Sequence, residues 1–189
     1  MTELHWRAAT DAGSYDGTAL ISVGQGAVHL RTDLPAGTLE NAVATLSWPM
    51  AENEKIFMNG YQTWTECPEL PKWGRQRGTD HIPKFLLDKY AFDRYGDYHF
   101  VRYSKRKGIS HGFSYCYFRR GEHYRLVASL DETPGYTIFY YDAKAAVLRI
   151  ERDCAGVCHG GSAFAAFDLF FAEGSECLLY TSPSPRDMR

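Results

Sequence analysis

From Asp97 onward the sequence runs with a period of two. Phe113, Tyr115 and Tyr117 alternate with Ser114, Cys116 and Phe118 before Arg119-Arg120-Gly121-Glu122 turns the chain. That period sends successive side chains to opposite faces, which suits a strand and cannot keep one face of a helix apolar. Phe100, Val101 and Tyr103 precede a turn at 105–108; Tyr124, Leu126, Ala128 and Leu130 precede another at 131–135; strands at 137–141, 147–150 and 164–171 complete the set. Upstream, 5–9, 18–23, 27–33 and 42–48 read as short strands separated by Gly/Asp/Pro turns at 11–17, 24–26 and 34–37. Val28, Leu30, Val43 and Leu46 are the expected core faces. Short strands at this spacing predict an all-β, mainly antiparallel sandwich or barrel, an edge-free meander rather than βαβ units.

Two segments break the pattern. Residues 67–80, with Pro68, Pro71, Trp73, Gly74 and Gly78, form the one long loop, and loops of this length are often functional. Residues 83–90 predict the one short helix, about two turns, because proline suits a first helical position. Phe85, Leu86 and Tyr90 would be its buried side.

The 189 residues suffice for a domain that buries its own core without staples. A net charge of -2 with no basic block argues against nucleic acid or an anionic membrane as partner. No apolar run approaches the ~20 residues of a spanning helix, and the N-terminus MTELHWRAATD lacks a secretion signal, so the expected compartment is the cytoplasm. Five cysteines, an odd number, fit reduced thiols better than a disulfide framework.

The stretch richest in recognition chemistry is 55–69, KIFMNGYQTWTECPE. An apolar run ends at Asn59-Gly60, a dipeptide that favours a turn, and restarts as Tyr61-Gln62-Thr63-Trp64. Aromatic bodies with polar tips beside amide groups suit a sugar, which offers C–H faces and a rim of hydroxyls. Asn59, Tyr61, Gln62, Trp64 and Trp73 are therefore the candidate substrate-binding residues; the competing reading is a β-turn whose aromatics enter the core.

Other motifs are weaker. Cys154-x-x-x-Cys158-His159 lacks the second ligand pair a structural zinc needs, so no metal is expected. The glycines of 156–161 lack the Lys-Ser/Thr of a phosphate loop and read as a turn. Ser110-His111 forms no recognisable triad, and no nicotinamide or other cofactor is implied. Glu66, Glu69, Asp80, Asp88, Asp93 and Asp97 read as solvated loop charges rather than a catalytic pair. No catalytic residue is assigned.

IFMNGYQTW, the Pro/Gly loop after it, RYGDYHFVRY and HGFSYCYFR together resemble the N-terminal region of glycoside hydrolase family 36, the α-galactosidases or melibiases. The resemblance runs in order from the start to about Glu176. It implies a β-supersandwich that precedes a (β/α)8 barrel carrying two catalytic aspartates, a retaining mechanism on α-galactoside oligosaccharides, and no metal. The barrel motifs have no counterpart here, so the expectation is a domain that is inactive alone and that supports the barrel, the substrate site or a homo-oligomer. Residues 177–189 do not continue the strand pattern and resemble translated read-through of a sequencing-library adapter; the alternative is a naturally disordered tail. The expected organisation is a domain at 1–176, then that tail, with the true protein continuing beyond Glu176. A free-standing carbohydrate-binding sandwich is the other functional reading.

Overall fold

A computed structural model describes residues 2–21, 26–33, 37–60, 67–76, 83–91, 106–133, 135–159 and 163–175, with side chains for all of these except 31–33, 155–159 and 163–166. Among the described residues the fold is all-β and antiparallel, two stacked six-stranded sheets with one short helix. The first sheet runs β2-β1-β4-β11-β10-β7, from Gly13–Ile21, Thr2–Thr10, Gly37–Ser47, Val147–His159, Tyr136–Asp142 and Ile109–Phe113. The second runs β3-β12-β9-β8-β5-β6, from Gly26–Asp33, Ala163–Ser175, His123–Ser129, Tyr115–Arg120, Lys55–Met58 and Leu70–Pro71. The helix, α1, spans Lys84–Tyr90.

The core lies between the two inner faces, where the period of two delivers it. Leu4, Ala8, Ala42, Ala44, Leu46, Leu148 and Ile150 from one sheet meet Ile56, Met58, Cys116, Phe118, Val127, Phe167, Leu169 and Phe171 from the other. Trp48, just past β4, closes one end against Phe118 and Phe171, with ring centroids at 5.5 and 6.3 Å. Burial pushes the Cys116 thiol up, and the Cys154 thiol to about 11, so both behave as small apolar side chains.

Most of the expected strands are observed, but the run read as continuous through 113–118 is divided at Ser114 between β7 and β8, and several further details differ. Val43 and Leu46 have opposite parity and cannot share a face; Leu46 is buried, whereas Val43 is half-buried on the outer side. The arrangement is not a meander, because β4 pairs with β11 and β3 with β12, leaving β2, β7, β3 and β6 as edges among the described strands. The expected turn at 11–17 shrinks to Asp11-Ala12, and 156–159 belongs to β11. Residues 70–71 of the long loop form β6 against β5. Phe85 and Tyr90 are exposed rather than buried, at 68% and 59%, and α1 buries no side chain. A seven-residue helix has too few turns to hold a stripe against a core. The expected features at 24–25, 34–36, 61–66, 77–80, 100–105 and 176–189 lie outside the described residues. Among the described residues no helix is long and apolar enough to cross a membrane.

Candidate functional site

Residues 55–60 and 67–76 form an arm along one side of the sandwich, and β7 is the strand both pieces meet. β5 enters the core with Ile56 and Met58 and points Phe57 outward. At its end Asn59 is fastened by three hydrogen bonds. Its N–H donates to Tyr115 O (3.3 Å), its carbonyl accepts from Phe113 N (2.8 Å), and its Nδ2 donates to Phe113 O (3.1 Å). Phe113 and Tyr115 belong to different sheets, joined through Ser114 at φ 62°. Asn59 therefore clips the point where the chain crosses between sheets. Gly112 permits this approach, since a Cβ there would stand 2.6 Å from the Asn59 carbonyl oxygen and 2.8 Å from Met58 Cβ.

The far part of the arm is equally fixed. Gly74 N–H closes a turn onto Pro71 O (2.7 Å), and Gly108 N–H donates to Gly74 O (2.8 Å). Gln76 is buried and mimics a neighbouring strand: its Nε2 donates to His111 O and its Oε1 accepts from His111 N, both at 2.8 Å. Trp73, at the tip of the turn, stays 49% exposed. The Cα of Gly108 packs between its ring and Ala143. Lys72 Nζ lies 5.5 Å from the Trp73 ring centroid and 2.8 Å from Glu52 Oε1. The Lys72 hydrogen bond holds Glu52 below the usual carboxylate range.

Beside the arm, the outer face of the second sheet carries an aromatic ladder. Phe57 stacks on Tyr117 at 4.8 Å and 8°, and on Tyr115 at 5.9 Å and 24°. Glu69 ends the ladder: it accepts from Arg119 Nε (2.6 Å), from Arg119 Nη2 and from Tyr117 Oη (3.1 Å). These donors, Arg119 foremost, hold the Glu69 carboxyl below its ordinary value. Burial and then the adjacent Glu69 carboxylate push the Tyr117 phenol up to about 12. Glu69 is thus a bound structural carboxylate, not the solvated loop charge its sequence context suggested. The ladder's rings lie face to face, so they present edges to solvent and offer little stacking surface to a ligand.

A cleft of about 670 Å³ opens at the end of the sandwich near Trp48, between the 49–54 turn and the ends of β8, β9 and β12. There the inner face of the second sheet turns polar, through the rows Phe118–Arg125–Glu173 and Arg120–His123–Ser175. Glu54 is buried at its floor. It accepts from Arg125 Nε (3.2 Å) and Nη2 (2.8 and 2.9 Å) and from Ala51 N (3.0 Å). The Arg125 guanidinium lies 4.8 Å over the Trp48 ring.

Of the residues singled out from sequence, Asn59 and Trp73 are both brought to β7, at its opposite ends. Their contact points are separated by the four residue steps from Gly108 to Gly112, about 13 Å at roughly 3.3 Å per step. Tyr61, Gln62 and Trp64 lie outside the described residues. Sequence reasoning missed Gln76, Glu54 and Arg125. Each offers locally just one charged or amide side chain, before β5, within β9 or in the loop after β6, and their partners stand 35 to 71 positions away. No group of three or more His, Cys, Asp or Glu side chains among the described residues could hold a metal ion. Comparison with protein-family models, with curated proteins and with solved structures finds no match.

Proposed function

We propose that this chain is the non-catalytic N-terminal sandwich of an α-galactosidase-like retaining glycoside hydrolase, with the arm along β7 as its sugar-facing edge. One observation carries the reading. Trp73 is held half exposed on a turn braced by Gly74, Gly108 and the Lys72–Glu52 pair. Keeping a large apolar side chain out of the core forgoes about 1.5–3 kcal/mol of burial, which favours a role in contact. The exposed part of the indole, flanked by the Glu52 carboxylate and the Lys72 ammonium, pairs apolar surface with polar groups, as a pyranose pairs C–H groups with a rim of hydroxyls. Hydrolysis with retention needs two carboxylates roughly 5 Å apart, which in this reading belong to a separate barrel domain. The chain itself supplies binding and support.

The test titrates the chain with melibiose and raffinose while tryptophan fluorescence and heat are recorded. Saturable binding at millimolar sugar, lost in Trp73→Ala with an unchanged melting temperature, is expected. No release from p-nitrophenyl α-galactoside is expected. Absence of saturable binding to any α-galactoside refutes the sugar-facing edge, and turnover of the chromogenic substrate refutes the non-catalytic assignment. A free-standing carbohydrate-binding module is the second reading. It draws support from the arm being fastened wholly within this chain, through β6, Asn59 and Gln76.

A further inference from the structure

Edge strands carry unpaired N–H and C=O groups and template pairing with other chains unless they are short, charged or covered. Three edges of this sandwich are managed. β7 is capped by the Gln76 side chain and by Asn59. β6 is two residues long and contains Pro71. β3 carries His29, Arg31 and Asp33 along its eight residues. β2 differs. It is nine residues long, pairs with β1 along its whole length on one side, and carries a single charge, Asp16. Apart from a bond from the Thr10 hydroxyl to Gly13 O, its free side meets no partner among the described residues. Leu20 on this strand is 73% exposed.

We propose that β2 is an interaction edge for a second copy of this chain, pairing antiparallel with itself about a twofold axis at Gly17. The self-complementarity of the strand carries the choice of partner. With Gly17 on the axis, Tyr15 of one copy faces Ala19 of the other, Ile21 faces Gly13, and Leu20 faces Ser14. Each bulky side chain meets a small one, and glycine meets glycine at the centre. The one charge, Asp16, faces Thr18 of the other copy, so no like charges are opposed. On its own sheet Asp16 is already turned toward Arg7, at 3.6 Å. The inner side is firm, because the Trp6 ring packs directly on Gly17 and both Trp6 and Tyr15 rest on the core. Such an isologous contact joins two six-stranded sheets edge to edge into one continuous sheet. The interface is independent of the sugar-handling reading.

Sedimentation velocity of the full chain, from micromolar to hundreds of micromolar, reads the association directly. The wild type is expected to show a concentration-dependent dimer. Thr18→Asp sets a carboxylate opposite Asp16 of the other copy in both symmetric pairs, and is expected to give a monomer. Adding Asp16→Lys makes both facing pairs attractive and is expected to restore the dimer. A wild-type monomer throughout, a dimer indifferent to Thr18→Asp, or a folded double variant that stays monomeric overturns the proposal. Hydrogen exchange on the wild type decides the matter even if Thr18→Asp fails to fold. Amides of residues 13–21 should slow as concentration rises, and rates independent of concentration overturn the pairing.

Discussion

Glu54→Ala tests whether the polar end of the sandwich is held by one ion pair. The side chain is 6% exposed as a residue and accepts hydrogen bonds from Arg125 at 3.2, 2.8 and 2.9 Å and from Ala51 N at 3.0 Å. Removing it leaves the guanidinium lying 4.8 Å over Trp48 and 5.4 Å over Phe118, without its anion. Breaking a buried pair costs about 3–5 kcal/mol, because the surviving charge is stranded. Arg125 keeps 26% of its side-chain exposure, so water takes over part of the carboxylate's role. The expectation therefore falls at the low end, about 3 kcal/mol. In a chain of this length each kcal/mol moves the melting temperature by about 2–4 °C, giving a fall of about 6–12 °C. Urea unfolding of the wild type, Glu54→Ala, Arg125→Met and the double variant isolates the pair. Arg125→Met keeps the stem over Trp48, so the double variant should recover part of the loss, with a coupling of about 1–3 kcal/mol. A loss below about 1 kcal/mol for Glu54→Ala, the range of exposed pairs, would refute the reasoning.

Three further outcomes follow from the geometry. Burial pushes Tyr117 and Tyr141 up to about 12 from an ordinary 10.0, so the unfolded chain gives up these protons first and stability is lost as pH rises from 10.0 through about 12. Absorbance at the phenolate band should show this late titration coincident with unfolding, and full tyrosine ionisation near the ordinary value in a folded protein would contradict it. Gly112→Ala forces a methyl to within 2.6 Å of the Asn59 carbonyl, and should destabilise by about 1–3 kcal/mol as overpacking does, read by urea midpoint; a neutral effect would mean the β5–β7 junction yields freely. Arg152 is fully buried and bonds to Asp131 O and Ser129 Oγ, yet its Nε and Nη1 lack partners among the described residues. Arg152→Met should be neutral or stabilising by about 1–4 kcal/mol, and a large loss of stability would show that the cation is needed where it sits.

The strands were legible because alternation is local: Cys116 and Phe118 point inward and Tyr115 and Tyr117 outward, as a period of two requires. Strand partners were not legible. Nothing near Asn41 announces Asp153, and nothing near His29 announces Asp168, its partner in register and its 2.6 Å hydrogen-bond neighbour. The long loop hid β6 because Leu70-Pro71 is too short to show any period. For the site, Asn59-Gly60 correctly marked the end of β5, but its task, clipping the crossover at Ser114, depends on Phe113 and Tyr115. Gln76 reads as one more polar loop residue until β7 is placed beside it.

The pairing of β3 bears on how the chain is made. Among the described strands, β3 has one sheet neighbour, β12, which begins about 130 residues later. At ribosomal speeds of about 5–20 residues per second, β3 emerges roughly ten seconds ahead of the strand that receives it. β4 waits nearly as long for β11. Val28 and Leu30, which later rest on the core, spend that interval without their sheet. The sandwich cannot close progressively from the N-terminus. Nascent chains halted before β12 should stay protease-sensitive and available to chaperones, and protection should arrive in one late step once β12 clears the ribosome.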